Sequence, residues 1–264
     1  MKSVLITGAY GGMGRALSER LAARGVRVYA LDRHATPTPC ENIIPIEADV
    51  TDGKSVAAAF EKVSKHTQRL YAIVHFAGVY MLDSLLEMPT ESFERICRVN
   101  LFGAFLVNKI FLPMLRKGSR ILITTSELAP LDPLPFTGVY AVTKAALDKY
   151  AYSLRMEAQL LGISVSVLRA GAVATDMLGA STSALDKFCE STKLYTCNAE
   201  RFKKIVESVE ARNIAPEKLA AKAAKILVEK NPRFAYSINR NPLLLMLNTL
   251  PKRTQLWIIK QVLK

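Results

Sequence analysis

Cysteine is scarce in this chain and poorly placed for metal or disulfide chemistry. Cys40, Cys97, Cys189 and Cys197 form no C-x-x-C pair, and none stands at ligand spacing from any of the three histidines. That pattern excludes an expected metal site and suits reduced thiols, used mainly in packing, in a reducing compartment. Uninterrupted apolar runs are short, well under the ~18 residues of a spanning helix. Met1-Lys2 leads into only a few apolar residues before Gly8, too few for a signal-peptide core. The expectation from these absences is a cytoplasmic protein. Zinc-finger spacing, dense basic runs and an aromatic RNP pattern are missing too, so no nucleic-acid partner is expected. Repeats, low-complexity stretches and interdomain linkers are absent as well. Residues 1–264 therefore read as one α/β domain, long enough to bury a full core.

Acidic charge is in short supply. Lys and Arg total 36 against 23 Asp and Glu, a formal charge of +13. A solvated basic surface is the commonest reason for such an excess. It also suits an anionic cofactor or substrate, or an acidic membrane surface.

Apolar, β-branched runs alternate with helix-period segments along the chain. Strands are expected at Ser3–Thr7, Val26–Leu31, Ile43–Glu47, Leu70–Phe76, Arg120–Thr125, Ile163–Arg169 and Phe234–Ile238. Helices are expected at Gly12–Arg24, Lys54–Lys65, Thr90–Leu115 with a break near Asn100, Gly138–Leu161 and Pro216–Glu229. This alternation predicts a doubly wound, Rossmann-type parallel sheet of about seven strands with right-handed crossovers. Its strands are almost uniformly apolar, as a sheet covered on both faces requires.

Two segments fall outside the repeating units. Residues 176–216 form an insertion at the carboxyl end of a strand, where α/β folds place lids and substrate contacts. After Glu229 there are seven Lys or Arg and no acidic residue, with apolar stripes at Leu243–Leu247 and at Leu256, Ile259 and Leu263, interrupted by Pro251. Residues 240–264 read as an amphipathic tail, packed on the body or on a second subunit, with a membrane-surface helix as the other reading.

Residues Thr7 to Gly14 read T-G-A-Y-G-G-M-G between a strand and a helix. A glycine turn there aims backbone N–H groups and the positive helix end at a diphosphate. Gly8 suits the tight turn, Gly12 close approach of the diphosphate, and Gly14 close packing of helix on strand. Further along, Tyr140 and Lys144 are one turn apart on a single helix face. A nearby ammonium favours phenolate and would pull a phenol from about 10 towards the working pH. Thr124-Thr125-Ser126 closes a strand and brings Ser126 to the carboxyl edge of the sheet.

In their order along the chain, these pieces resemble the short-chain dehydrogenase/reductase family over at least residues 3–230. The matching segments are T-G-A-Y-G-G-M-G, Asp32, Ala48-Asp49-Val50, Ala77-Gly78, Val99-Asn100, Ser126, Y-A-V-T-K at 140–144, and Gly171-Ala-Val-Ala-Thr175. Pro135-Phe136-Thr-Gly-Val-Tyr140 and the basic tail are similar to the hydroxysteroid and retinol dehydrogenase branch.

The resemblance implies that Tyr140 exchanges a proton with the carbonyl or alcohol oxygen and that Ser126 hydrogen-bonds the same oxygen. It also implies that Lys144 holds the nicotinamide ribose and lowers the Tyr140 pKa, while Asn100 holds a water in a proton relay. Cofactor contacts are implied for Gly8, Tyr10, Gly12, Met13, Asp32, Arg33, Asp49, Val50, Ala77, Gly78, Tyr140, Lys144, Val173 and Thr175. Within that set, Asp49 and Val50 would border adenine, and Val173 and Thr175 the carboxamide. The Asp32 carboxylate favours NAD because it would repel a 2′-phosphate, whereas Arg33 and Arg15 leave NADP open.

Two departures from the family pattern stand out. His75-Phe76 replaces the usual Asn-Asn and is expected to pack, and Ala170 replaces a proline and is expected to loosen the following loop. The expected activity is interconversion of a secondary alcohol and ketone on a lipophilic molecule, first a hydroxysteroid or bile acid. Retinol, a small ketone or a 3-oxoacyl thioester is the enzymatic alternative, and a non-catalytic dinucleotide-binding regulator the other. Tyr80, Met81, Leu82, Leu128, Leu131 and Leu134 are expected around the pocket. Apolar faces at Leu101–Leu115 and Ala145–Leu161 suggest a homodimer or homotetramer.

Overall fold

Seven strands, all parallel, form one sheet: β1 (Ser3–Thr7), β2 (Arg27–Asp32), β3 (Ile43–Glu47), β4 (Ala72–His75), β5 (Arg120–Ser126), β6 (Ser164–Ala170) and β7 (Ala235–Ile238). The computed structural model describes the backbone of residues 1–264 and every side chain except those of residues 176–178, 180–182 and 210. Strand order is β3-β2-β1-β4-β5-β6-β7. The chain winds outward in one direction from β1 and in the other from β4, so a crevice opens at the carboxyl ends of those two strands.

Side-chain alternation along the strands divides the core into two layers. Leu5, Tyr29, Ile73 and Ile121 point to one face, where they meet α2 (Gly53–Ser64), α4 (Gly103–Phe111) and α5 (Gly138–Ala158). Val4, Ile6, Val28, Val74 and Leu122 point to the other, under α1 (Gly12–Ala22) and α8 (Pro216–Val228). Both faces are covered, which is why the strands lack polar alternation.

Between β4 and β5, α3 (Thr90–Cys97) runs into α4 through a π-helical turn at Arg98–Phe102. There the Gly103 N–H reaches back five residues to the Arg98 carbonyl. This widened turn is the break expected near Asn100. By length and composition the stretch Thr90–Met114 could also cross a membrane. Its Ile96, Val107 and Phe111 are fully buried in the core of the protein, which accounts for its apolar character.

The insertion after β6 forms two helices, α6 (Asp176–Ser191) and α7 (Thr196–Glu210). The chain ends in α9 (Pro242–Thr249) and α10 (Lys252–Leu263). Leu82, Leu185, Phe188, Phe202, Val206 and Leu263 form a satellite core that joins the insertion to the tail. The tail therefore packs on the body, one of the two readings its sequence allowed.

Candidate active site

The turn between β1 and α1 depends on missing side chains. Gly8 has φ +66°, and a Cβ there would lie 2.6 Å from the Ala77 nitrogen. A Cβ on Gly14 would lie 2.1 Å from the Gly8 carbonyl oxygen, so close packing of helix on turn requires glycine at that position. A Cβ on Gly12 would meet Thr175 Cγ2 at 2.6 Å, which places Thr175 across the loop from the helix start. Gly11, the N-cap of α1, has no capping side chain. Among the described residues no side chain caps the first helical N–H groups, and a diphosphate fits that position.

Asp32 ends β2 beside this loop. Its Oδ2 accepts from the Tyr10 N–H at 3.1 Å and its Oδ1 from the Arg33 N–H at 2.8 Å. The carboxylate holds the glycine turn and keeps further acceptor capacity for ribose hydroxyls. The Tyr10 hydroxyl donates to the Thr36 carbonyl, and Met13 lines the adjoining cavity. Asp49 accepts from the Thr51 N–H and hydroxyl, both at 2.8 Å. Burial works to raise its pKa, but those bonds and the Arg33 charge outweigh it and the carboxyl ends below its ordinary value. Val50 packs on the π turn, where a Cβ at Gly103 would lie 2.8 Å from its Cγ2. The Ala77 N–H donates to Thr7 Oγ1 at 3.3 Å.

The catalytic candidates converge at the carboxyl end of β5. The Ser126 and Tyr140 side chains meet there, Ser126 acting to lower the phenol pKa, and Ser126 Oγ accepts from the Leu128 N–H at 3.2 Å. The Tyr80 ring meets Tyr140 edge-on, with centroids 4.6 Å apart. Lys144 Nζ donates to the Thr124 carbonyl at 3.3 Å and lies 5.7 Å from the Tyr140 ring centroid. It and Asn100 Oδ1 flank Gly78, at 3.5 and 3.3 Å from where a Cβ would stand.

Burial acts on both members of the pair. It pushes the Tyr140 phenol up to about 12, partly opposed by the Ser126 hydrogen bond, and pulls the Lys144 ammonium down to about 8. The sequence predicts a depressed phenol, and the structure shows the opposite. The ammonium turns towards a carbonyl on β5, and loss of water dominates at each group.

Asn100 is 1 % exposed and hydrogen-bonded through both ends of its amide. Its Oδ1 accepts from the Val79 N–H at 2.8 Å, and its Nδ2 donates to Val79 O at 3.0 Å and Thr143 Oγ1 at 3.1 Å. This side chain ties the π turn to the strand end and to the catalytic helix. His75 packs as expected, 4 % exposed and 2.9 Å from Asn108 Oδ1, and burial lowers its pKa to about 4. Ala170 does not loosen its loop. Its carbonyl accepts from the Glu127 N–H at 2.9 Å, and the Gly171 N–H donates to Ile238 O at 3.0 Å, which extends the sheet by a residue.

A cavity of about 700 Å³ opens above these groups. Ser126, Tyr140, Lys144, Val173 and Thr175 line it, as do Tyr80, Leu128 and Leu134. Met81, Leu82 and Leu131 do not line it: Met81 packs in the cluster around Tyr140, and Leu82 in the satellite core. Among the described residues the buried Thr124 hydroxyl on its floor finds no hydrogen-bond partner, and Lys144 beside it donates only to the Thr124 carbonyl. A bound group bearing hydroxyls would satisfy both, which fits a nicotinamide ribose.

Three features escaped the sequence reading. Glu127, beside Ser126, is 8 % exposed and lines the cavity. Its Oε2 accepts from the Asn241 N–H at 2.6 Å, which anchors the tail to the catalytic strand. Burial raises its pKa, opposed by that bond and by the Arg240 charge. Next, Arg169 forms a two-point pair with Asp148 (Nη2–Oδ2 2.6 Å, Nε–Oδ1 3.0 Å), and Thr125 Oγ1 also donates to Asp148 at 3.2 Å. This clamps the catalytic helix to β5 and β6. Lastly, Leu244, Leu247, Ile259 and Val262 of the tail wall the cavity. Only the placement of Asp148 one turn beyond Lys144, and of Glu127 next to Ser126, could have pointed to the polar pair of features.

A parallel sheet of this order, with a glycine turn at its switch point and a Ser, Tyr and Lys cluster under an apolar cavity, defines a Rossmann-fold protein of the dehydrogenase type. A family model described as short chain dehydrogenase matches residues 2–186. Among curated relatives, estradiol 17-beta-dehydrogenase 2 of Mus musculus is 34% identical over 189 residues, 67% of this chain and 50% of that protein. The chain thus spans about half the length of that relative. A 3-ketodihydrosphingosine reductase of Bacteroides thetaiotaomicron is 28% identical over 235 residues, 88% of this chain and 85% of that one. Among solved structures, a short-chain dehydrogenase from Streptomyces avermitilis superposes with a TM-score of 0.79 at 21% identity, covering 99% of this chain and 96% of that one. A 3-ketoacyl-(acyl-carrier-protein) reductase from Brucella melitensis, complexed with NADH, gives 0.74 at 22% identity, covering 90% and 96%.

The chain belongs to the short-chain dehydrogenase/reductase family of oxidoreductases, whose members typically bind a nicotinamide dinucleotide.

Proposed function

We propose that this protein interconverts a secondary alcohol and a ketone on a bulky lipophilic molecule, with a hydroxysteroid or bile acid as the first class, and uses NAD. The observation that carries the reading is the cavity itself: apolar through most of its lining, with Ser126 and Tyr140 together at its base. Such a pocket selects by shape and apolar burial. The bound nicotinamide supplies or accepts the hydride. Tyr140, with its phenol held protonated by burial, is poised to give a proton to a carbonyl oxygen in the reduction direction. Ser126 orients that oxygen. Lys144, pulled to about 8, still carries its charge near neutrality and favours the phenolate left after proton transfer. Asp32 supports NAD, since a 2′-phosphate beside it would meet a carboxylate already committed to the loop.

A second reading, a ketone on a long alkyl chain, draws support from the 3-ketodihydrosphingosine reductase relative, which aligns over most of both chains. Reduced-nicotinamide absorbance, followed with both dinucleotides against steroid, bile-acid, retinoid and 3-oxoacyl panels, separates these readings. Turnover of acetoacetyl thioesters without any steroid would overturn the first. We also propose a homodimer or homotetramer. Phe102, Phe105, Leu112, Tyr152, Met156 and Leu160 stand exposed on α4, α5 and their flanking turns. A single monomeric species at micromolar concentration in sedimentation would refute that.

A further inference from the structure

The two faces of α10 have different chemistry. Ile258 and Ile259 are half-buried and line the cavity, and Val262 lines its rim while 52% exposed. Arg253, Trp257, Lys260 and Lys264, spaced i, i+4, i+7 and i+11, form one outward stripe, all exposed. Leu256 flanks the stripe at 68% exposure, and Trp257 is 62% exposed. At the cavity rim, Leu243 and Met246 of α9 are lining residues that nevertheless stay 61% and 63% exposed. Apolar side chains of this size, clustered around an opening, mark a contact surface. Charge identifies the occupant. No Asp or Glu follows Glu229, while seven Lys or Arg do. A basic stripe carrying an aromatic residue, beside an apolar rim, matches an anionic lipid interface, where indole lies at headgroup depth.

We infer that α9 and α10 dock on an anionic bilayer surface, so that the mouth of the cavity faces the membrane and a lipophilic substrate enters from the lipid. The surface stands on its own residues; only the identity of what enters rests on the proposed function.

Trp257 is the single tryptophan in the chain, so its fluorescence reports this face alone. Full-length protein is titrated, without substrate, with phosphatidylcholine vesicles either pure or doped with phosphatidylglycerol. The expected result is a blue shift and co-sedimentation with the doped vesicles only, both weakened by salt. Replacing Arg253→Gln, Lys260→Gln and Lys264→Gln together should lower partitioning about a hundredfold, at about fivefold per basic residue. That variant should turn over a water-soluble ketone at the parent rate, because none of the three residues lines the cavity. Equal partitioning to neutral and anionic vesicles, or none to either, overturns the inference. A Trp257 shift that follows protein concentration without lipid also overturns it, and assigns the face to a second copy of the chain. These readouts do not involve turnover, so loss of the proposed activity and loss of the proposed docking are seen separately.

Discussion

Alanine substitutions at three glycines of one short loop should produce graded effects set by backbone distances. At Gly11 the new Cβ would find only the Gly8 carbonyl oxygen at 3.5 Å, an ordinary contact. Loss of chain entropy in the unfolded state favours alanine by about 0.4–1 kcal/mol, and its poorer N-capping takes back a similar amount. Gly11→Ala should therefore shift Tm by no more than about 2 °C. At Gly14 alanine gains about 1 kcal/mol of helix propensity. Its Cβ, however, would lie 2.1 Å from Gly8 O and 2.7 Å from Ala9 Cα, both backbone atoms that move only with the turn. Overpacking of that kind costs at least the upper end of the usual 1–3 kcal/mol. The net is a loss of about 2 kcal/mol or more, a fall in Tm of roughly 4–8 °C. Gly12→Ala is intermediate in stability, because the Thr175 side chain it meets can rotate. It should lose dinucleotide affinity all the same, since the methyl fills the space before the helix start. Differential scanning fluorimetry with and without dinucleotide reads both quantities. A Gly14→Ala protein as stable as its parent would refute the packing argument for the loop.

Acid should act through His75. Its folded pKa, about 4, lies below the ordinary histidine value of 6.5, so the unfolded chain binds the extra proton first. Stability from this group is complete above about pH 6.5 and is lost as pH falls towards 4, by about 3 kcal/mol. His75→Asn should flatten urea midpoints across that window, and an unchanged slope would contradict the assignment. Asp148→Ala leaves Arg169 without its partner in a half-buried setting and should cost about 3 kcal/mol. Because Asp148 follows Lys144 by one helical turn, kcat should fall more than KM rises. Equal kcat with only a lower Tm would make the clamp purely structural.

Strand positions were legible in the sequence because buried parallel strands are short apolar runs bounded by turns, and β1, β3 and β7 were placed within a residue at each end. β4 was read longer than it is, since Leu70 and Phe76 are buried beyond the ladder as well as within it. The π turn at Asn100 was visible as a break in helical periodicity. The role of the tail was not: Ile259 and Val262 have the spacing of any core-facing helix, and periodicity does not distinguish a packed core from a cavity wall. Nor could spacing reveal that Lys144 turns towards Thr124, or that burial raises the Tyr140 phenol. Both depend on which groups the fold dehydrates.

The central claim is that the Tyr140 hydroxyl moves the proton at the base of the cavity. Its most direct test is single-turnover oxidation of prebound reduced dinucleotide by a ketone the wild type accepts, comparing wild type with Tyr140→Phe. The account predicts unchanged dinucleotide affinity and a rate lower by about 10²–10⁴-fold. A Tyr140→Phe protein that turns over at the wild-type rate would contradict it.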